Sequence, residues 1–255
     1  MMSQNKDRQE EPWKGMGLAL LDYHNGDKDA TIITRCSDGE IDHVRVEMFF
    51  REPYDFPFIE AAAVNSCHGR VLDLGAGAGC HALELQDRGL DVTAIDTSPE
   101  AVHVMRKRGV RDVRVAEYFS LADDEKFDTL LLMMNGIGVV GNLEGLYTFL
   151  IESKRLLNKN GQLIFDSADL ADEDARPDHS KILEWLGVFK DNNTASPEYF
   201  GRLEYRIEYK GILYPKLYWL FIDTVLLAHF AQECGWYCEI MFCQEDGKYL
   251  ARLSF

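Results

Sequence analysis

The sequence predicts an α/β fold with a mostly parallel sheet and helices on both faces, and three patterns carry this prediction. Between Arg70 and Ser167, short apolar β-rich runs alternate with helical segments, the pattern of βαβ units with right-handed crossovers. A glycine-rich turn at 75–79 directly follows the first apolar run. Two β-rich runs near the end of the chain, 236–243 and 249–255, flank a turn and predict an antiparallel hairpin.

The remaining elements are predicted in chain order. Residues 17–23 indicate a short helix, and residues 31–50 alternate in polarity around a turn at Asp38-Gly39. The parallel strands of the core are placed at 70–74, 91–95, 112–116, 128–134 and 162–166.

Capping residues set the predicted helix boundaries within the core. Ser98 is followed by a proline, which is typical of a helix start. Asn142 is expected to cap a helix that runs through Leu157, and Asn160-Gly161 is expected to end it before the fifth strand. After the core, strands are predicted at 202–210 and 214–221, followed by a helix from Asp223 to Cys234 that Gly235 ends.

The predicted domain organisation has two parts. Residues 1–69 form an N-terminal extension and active-site flap, and residues 70–255 form the core domain. A charged stretch, Asp169 to Asp178, begins an inserted lid at about 168–200. This acidic stretch is interpreted as a solvated surface segment, with a divalent-cation site as the disfavoured alternative because its spacing fits no known loop.

Composition limits the expected partners. The formal net charge is -16, which repels phosphate backbones and anionic lipids, so neither nucleic acid nor a membrane is an expected partner. No apolar stretch is typical of a membrane span. The six cysteines and seven histidines lack metal-ligand spacing, so free thiols in the cytoplasm, and no metal, are expected.

The glycine turn predicts a site for a nucleotide-type cofactor. Gly75, Gly77 and Gly79 let the main chain turn sharply and approach a ligand that a Cβ would push away. Asp96 ends the second predicted strand, 21 residues after Gly75, close to the spacing at which an acid binds ribose hydroxyls. The alternative for Asp96 is a cap on the next helix, although Ser98 is better placed for that role. The third glycine arrives one residue early for a dinucleotide fingerprint, which disfavours NAD.

These residues resemble the class I S-adenosylmethionine-dependent methyltransferases. The resemblance rests on Val71–Gly79 followed by Asp96, and it continues through Phe127-Asp128 and 156–162. It covers roughly residues 70–167 well, and the terminal hairpin is similar to the reversed last strand of that family's sheet. It implies a Rossmann-like, seven-stranded, mostly parallel sheet with an antiparallel C-terminal strand, and S-adenosylmethionine as the cofactor.

The resemblance also implies cofactor contacts, position by position. The turn at 75–79 would pass beneath the methionine and ribose portions, Asp96 would bind the ribose and Thr97 would lie beside the adenine. The family commonly has Gly-Asp after the third strand, where this chain has Ala116-Glu117, so Glu117 would replace the adenine contact with a longer side chain. Tyr118 is expected either to line the ring pocket or to pack ordinarily. The implied cofactor-binding set is Arg51, Asp73, Gly75, Ala76, Gly77, Gly79, Asp96, Thr97, Glu117, Tyr118 and Asn135.

Asn135 follows the fourth predicted strand, where family members face the reacting methyl group. A cofactor or substrate contact and a structural turn are both open for it, since asparagine and glycine both favour turns. The chain lacks the Asn-Pro-Pro-Tyr or Asp-Pro-Pro-Tyr motif of relatives that methylate the amino groups of adenine or glutamine, which disfavours those acceptors.

The aromatic segment 48–57 is interpreted as a flap over the cofactor. Arg51 is expected to pair with the methionine carboxylate, with a surface ion pair to Glu52 or Asp55 as the alternative. Phe50, Tyr54 and Trp219 are the candidate walls of the substrate pocket.

The sequence thus predicts a methyltransferase that acts on a small molecule. No catalytic residue is assigned, because methyl transfer from a sulfonium needs mainly alignment. Two alternatives remain: a regulatory or scaffold protein that binds S-adenosylmethionine without methyl transfer, and an NAD(P)-dependent oxidoreductase. Neither the methyl acceptor nor the oligomeric state follows from the sequence.

Overall fold

Two β-sheets organise the chain. The computed structural model describes residues 11–171, 177–192 and 195–255. In chain order the strands are β1 (Thr31–Cys36), β2 (Ile41–Arg45), β3 (Arg70–Leu74), β4 (Asp91–Asp96), β5 (Asp112–Val115), β6 (Phe127–Leu132), β7 (Leu157–Ala168), β8 (Arg202–Tyr209), β9 (Ile212–Leu220), β10 (Tyr237–Cys243) and β11 (Lys248–Ser254). The α-helices are α1 (Lys14–His24), α2 (Phe58–Ser66), α3 (Cys80–Asp87), α4 (Pro99–Arg108), α5 (Leu143–Ser153), α6 (Ser180–Asn192) and α7 (Thr224–Glu233).

The central sheet confirms the predicted fold class. Its seven strands have the order β10-β11-β7-β6-β3-β4-β5, and β11 runs antiparallel to both β7 and β10. The strands β3, β4, β5, β6 and β7 are mutually parallel. The chain moves outward from β3 to β5 and then returns to place β6 on the other side of β3. In such sheets ligands bind at the carboxyl ends of the strands, where the order reverses.

Hydrophobic clusters cover both faces of this sheet, as a parallel sheet requires. One cluster includes Leu72, Phe165 and Phe230, and the other includes Val71, Leu85 and Met105. Adjacent residues of β3 thus point to opposite clusters. This two-sided burial fixes the position at which β3 ends and the glycine turn begins.

The predicted capping residues are confirmed. Ser98 accepts from the N–H of Ala101 at the start of α4, and Asn142 accepts from the N–H of Gly145 at the start of α5. Asp223 caps α7 in the same way.

The predicted end of α5 is wrong. The helix ends at Ser153, and Leu157 is already paired with Phe127 in the sheet. Asn160 and Gly161 lie inside β7 beside a break in its register with β6, and Asn160 has a φ of 67°. Asparagine tolerates this left-handed conformation in an irregular strand as well as after a helix, so the dipeptide alone did not distinguish the two.

A second, four-stranded antiparallel sheet has the order β2-β1-β8-β9. It joins the N-terminal extension to a segment far along the chain, for example by pairing Thr34 with Ile207. The sequence predicted strands in both regions but not their pairing. The helix α1 packs between this sheet and α4, where Lys14 forms an ion pair with Glu100. The extension therefore lies beside the carboxyl end of β4.

Part of the acidic stretch predicted as a surface excursion, 172–176, lies outside the described residues. Within the predicted lid the structure describes α6, whose Ile182, Trp185 and Leu186 are buried in the core. Across the described ranges, no group of three or more His, Cys, Asp or Glu residues is arranged to hold a metal. In the same ranges, no helix has both the length and the apolar character needed to cross a bilayer.

Candidate functional site

The glycine turn between β3 and α3 forms an open cradle. The N–H groups of Gly75 and Ala76 both donate to the carbonyl oxygen of Ile95 in β4, which anchors the turn. Gly75 and Gly77 have φ values of 68° and 57°, and a Cβ on either would meet no atom within 4 Å. The main chain thus presents two Cβ-free positions to empty space, which is the shape needed for close ligand approach.

Gly79 has a different role from the other two glycines. Its φ is 81°, and an added Cβ would lie 2.9 Å from Met105 and 3.0 Å from Val110. At Gly79 the main chain therefore lies close to other residues of the protein rather than to open space. The absence of a Cβ lets α3 begin directly against α4. The sequence grouped the three glycines, whereas the structure separates two that face open space from one that packs inside.

Asp96 joins the end of β4 to the glycine turn. Its Oδ2 accepts from the N–H of Gly77 at 3.0 Å, and its Oδ1 accepts from the N–H of Ser98 at 2.8 Å. Burial raises the pKa of Asp96, whereas these backbone donors act to lower it. Ser98 caps α4, so the cap alternative for Asp96 is not needed. Each carboxylate oxygen retains lone pairs for a ligand hydroxyl.

Asp73 lies at the switch point and is 2% exposed. Its Oδ2 has no hydrogen-bond partner in the described residues. Burial raises the pKa of this carboxyl to about 6; the charge of His81 opposes the rise, and that of Asp96 adds to it. A buried acceptor without a partner is costly, so this atom is a candidate for contact with a ligand donor.

Arg51 is paired with a residue that the sequence did not single out. Its Nη2 donates to Glu60 Oε1 at 2.5 Å, so neither Glu52 nor Asp55 is its partner. The other oxygen of Glu60 lies 2.8 Å from His81 Nε2. The Nε of Arg51 is buried and has no partner among the described side chains and backbone. No local pattern signalled this network, because its members come from the flap, α2 and α3.

The loop after β6 has an unusual backbone. Met134 and Asn135 both have positive φ values, 63° and 56°. For Met134 this conformation costs about 1–2 kcal/mol, whereas asparagine tolerates it, and such strain is concentrated at functional sites. The N–H of Asn135 donates to Asp166 Oδ1 at 2.8 Å, and the side-chain Nδ2 lies 3.5 Å from the carbonyl oxygen of Leu220. These contacts hold the loop at the carboxyl ends of β6 and β7.

Asn135 Oδ1 is the third buried side-chain atom that lacks a partner in the described residues, after Arg51 Nε and Asp73 Oδ2. All three belong to residues already predicted to bind the cofactor. Asp166, which sequence reasoning missed, is buried beside this loop, and burial raises its pKa to about 6.

The loop after β5 lies next to Asp96, because the N–H of Ala116 donates to the carbonyl oxygen of Asp96. Glu117 and Thr97 are exposed there. Tyr118 is half-buried and packs edge-on against Phe149, with 5.0 Å between ring centroids. Burial raises the pKa of Tyr118 to about 12, so it is a neutral phenol at physiological pH.

The three candidate wall residues have different surroundings. Phe50 packs on Tyr23 and lies under the guanidinium of Arg108, which donates to the carbonyl of Ala78 in the glycine turn. Tyr54 is 84% exposed and forms no enclosed wall. Trp219 lies against Gly138 in the loop after β6, where a Cβ would collide with the indole, and its ring meets Trp13 edge-on.

A glycine cradle, an acid on the neighbouring strand and unpartnered buried polar atoms at the switch point define a nucleotide-cofactor-binding α/β protein. A family model described as a methyltransferase domain matches residues 72–165. A crystal structure of a SAM-dependent methyltransferase from Bacteroides fragilis, in complex with S-adenosyl-L-homocysteine, is similar over 96% of this chain and 94% of that chain. The identity is 34% and the TM-score is 0.80.

The chain belongs to the class I S-adenosylmethionine-dependent methyltransferases, enzymes that use S-adenosylmethionine as the methyl donor. The predicted family, cofactor class and fold are confirmed, which leaves the oxidoreductase alternative without support.

Curated relatives match over shorter stretches. An uncharacterized methyltransferase from Staphylococcus carnosus is 34% identical over 67 residues, which are 26% of this chain and 32% of the relative. The demethylmenaquinone methyltransferase of Tropheryma whipplei is 32% identical over 98 residues, 37% of this chain and 39% of the relative. The chain thus matches between about a third and two-fifths of the length of these relatives.

Proposed function

We propose that this chain transfers the methyl group of S-adenosylmethionine to a small-molecule acceptor. The observation that carries the proposal is the set of unpartnered atoms around the cradle: one buried donor, Arg51 Nε, and one buried acceptor, Asp73 Oδ2, beside two Cβ-free glycines. A free α-amino acid group carries both a carboxylate and an ammonium, and therefore complements this donor and acceptor.

The remaining residues fit the other parts of the cofactor. Asp96 is positioned to accept from ribose hydroxyls while it holds Gly77. Thr97, Glu117 and Tyr118 lie on the adjoining loops, where they would contact the adenine. When bound, S-adenosylmethionine supplies an electrophilic methyl group on a sulfonium. Main-chain donors fix the Asp96 carboxylate before a ligand arrives, which favours alignment of the reacting groups.

The acceptor is proposed to bind at the loop after β6. Asn135 Oδ1 is a buried hydrogen-bond acceptor without a partner in the described residues, and Trp219 and Trp13 form an aromatic wall nearby. Asn135 would orient an N–H or O–H group of the acceptor. No side chain is assigned as a general base.

A small molecule is proposed because parts of the chain outside the core surround the carboxyl edge. The extension, 1–69, contributes α1 and the flap, and the second sheet places β9 against the loop after β6. The net charge of -16 disfavours nucleic acid and anionic membranes as partners. Six cysteines without spacing typical of a disulfide scaffold, in a chain of this length, support the proposal of a reducing compartment such as the cytoplasm.

The proposal is tested in two steps. Calorimetry measures binding of S-adenosylmethionine and S-adenosylhomocysteine to the purified chain, with NAD as the control ligand. Release of S-adenosylhomocysteine is then measured with a panel of amines, phenols, quinols and sugars. Binding followed by acceptor-dependent turnover supports the proposal. Absence of binding contradicts it, and binding without turnover on any acceptor supports a regulatory or scaffold role instead.

A further inference from the structure

Glu60 divides its carboxylate between two cations. Its Oε1 accepts from Arg51 and its Oε2 faces His81 Nε2, with exposed side-chain fractions of 17% for Arg51 and 6% for both Glu60 and His81. Arg51 belongs to the flap, Glu60 to α2, and His81 to the first turn of α3 after the glycine turn. The three residues form what we call the Arg51 network, which joins the flap to the cradle.

We propose that Glu60 and His81 are positioning residues, which keep Arg51 Nε available for the carboxylate of the cofactor's amino-acid end. They would thereby give the site its preference for adenosyl amino acids over adenosine compounds that lack this end. The inference rests on the proposed function for the identity of the cofactor.

The arrangement of donors supports this role. A guanidinium next to an unshared carboxylate favours a two-pronged pair that uses both carboxylate oxygens. In the Arg51 network one oxygen is taken by His81, so Arg51 engages Glu60 through Nη2 and its Nε is left without a partner among the described residues. Without His81, both oxygens of Glu60 would be open to Arg51. Arg51 Nε would then donate to the second oxygen of Glu60 instead of to the ligand.

The charges of the Arg51 network also support this role. Burial acts to lower the pKa of His81, but Cys80, Glu60 and Asp73 outweigh burial and raise it well above its ordinary value. Burial likewise acts to raise the pKa of Glu60, but His81 and Arg51 lower it, so Glu60 is ionised. Two cations then share one anion, which leaves a positive charge to match a ligand carboxylate. Asp73, with its unpartnered Oδ2, provides the matching acceptor for the ligand ammonium.

The experiment compares two ligands that differ in the amino-acid end. Calorimetry measures binding of S-adenosylhomocysteine and of 5′-deoxy-5′-methylthioadenosine to the wild type, His81→Leu, His81→Gln, Arg51→Ala and the double variant Arg51→Ala/His81→Leu. His81→Leu is expected to weaken S-adenosylhomocysteine binding about 10- to 100-fold and to leave methylthioadenosine binding unchanged. His81→Gln retains an N–H donor for Glu60 and is expected to recover most of the affinity.

The double variant tests whether His81 acts through Arg51. If it does, the double variant binds S-adenosylhomocysteine no more weakly than Arg51→Ala alone, because the two effects are not additive. Additive losses, or equal losses for both ligands, overturn the inference. A wild type that binds neither ligand contradicts the proposed function and this inference together. Should His81→Leu fail to fold, Glu60→Gln carries the same comparison, with the thermal unfolding midpoint as the folding control.

Discussion

The backbone N–H of Gly77 donates to Asp96 Oδ2 at 3.0 Å, so the glycine turn after β3 and the acid that ends β4 form a single unit. The same carboxylate accepts from the N–H of Ser98 at the start of α4. Asp96 therefore fixes the cradle and is proposed to bind the ligand ribose. These two roles make it the most informative single position in the site.

Asp96→Ala is expected to weaken S-adenosylhomocysteine binding about 10- to 100-fold, because charge-assisted hydrogen bonds to the ligand are lost and the turn is released. Calorimetry measures the change. Asp91→Ala is the matched control, since Asp91 is an exposed acid at the opposite end of the same strand. Equal affinity for Asp96→Ala and the wild type would remove Asp96 from the site.

Alanine substitutions at Gly77 and Gly79 are expected to differ in whether they mainly weaken ligand binding or mainly destabilise the fold. A methyl group at Gly77 points into open space, so Gly77→Ala mainly obstructs the ligand and costs only about 1–2 kcal/mol of stability from its positive φ. A methyl group at Gly79 collides with Met105 and Val110, which adds an overpacking cost of about 1–3 kcal/mol to the same backbone cost.

Urea unfolding and calorimetry on both variants check this pair of predictions. Gly79→Ala should show the larger loss in the free energy of unfolding, and Gly77→Ala the larger loss in affinity among variants that remain folded. If Gly79→Ala loses more affinity than Gly77→Ala, the open space at Gly77 is not where the ligand lies.

The parts of the site that the sequence predicted are those set by short-range patterns. A buried strand that ends in a glycine turn fixes the position of Gly75 and Gly77, and the next strand brings Asp96 beside them through regular parallel pairing. The capping side chains of Ser98 and Asn142 also predicted where α4 and α5 begin. Such features depend on a few neighbouring residues, so one sequence is enough to find them.

The features that the sequence missed depend on distant segments. Thr34 and Ile207 pair in the second sheet although five strands of the central sheet, β3 to β7, lie between them in sequence. Arg51 pairs with Glu60 rather than with Glu52 or Asp55, the partners in the alternative interpretation, because α2 packs against α3 and presents the Glu60 carboxylate there. The helix α5 ends at Ser153 rather than Leu157 because Leu157 pairs with β6. Here tertiary contacts override a local turn signal.

Asp73→Asn is expected to stabilise the protein at neutral pH and to weaken ligand binding. Burial raises the folded-state pKa of Asp73 to about 6 from an ordinary value of 3.8. Between these values the folded state retains a proton that the unfolded chain has lost, so ionisation destabilises the fold as pH rises through this range. Asparagine cannot ionise, and the expected gain at pH 7.5 is up to about 3 kcal/mol.

Urea unfolding at pH 7.5 and pH 5 measures the effect of Asp73→Asn. The advantage of the variant should shrink as pH falls, because the wild-type carboxyl becomes protonated. A constant difference across this range would show that the pKa of Asp73 is not raised. Asp166→Asn is a useful companion, since burial also raises the pKa of Asp166 to about 6.

Asp223→Ala is expected to reduce stability by about 2–4 kcal/mol with little change in ligand affinity. Its Oδ1 caps α7 by accepting from the N–H of Leu226 at 2.9 Å, and its Oδ2 accepts from the buried hydroxyl of Tyr199 and lies 3.0 Å from His179 Nε2. Loss of a cap costs about 1 kcal/mol, and a buried hydroxyl left without its acceptor about 1–3 kcal/mol.

Asp223→Asn and Tyr199→Phe separate these two contributions in urea unfolding experiments. Asparagine still caps a helix through its one side-chain oxygen, but its NH2 group replaces the oxygen that accepts from Tyr199. Asp223→Asn should therefore keep the cap and lose less stability than Asp223→Ala. Tyr199→Phe removes only the hydroxyl, whose oxygen also accepts from the N–H of Asp223 at 3.0 Å. If S-adenosylhomocysteine binding falls with Asp223→Ala as strongly as with Asp96→Ala, Asp223 belongs to the ligand site. A purely structural contact would leave the affinity of the folded protein unchanged.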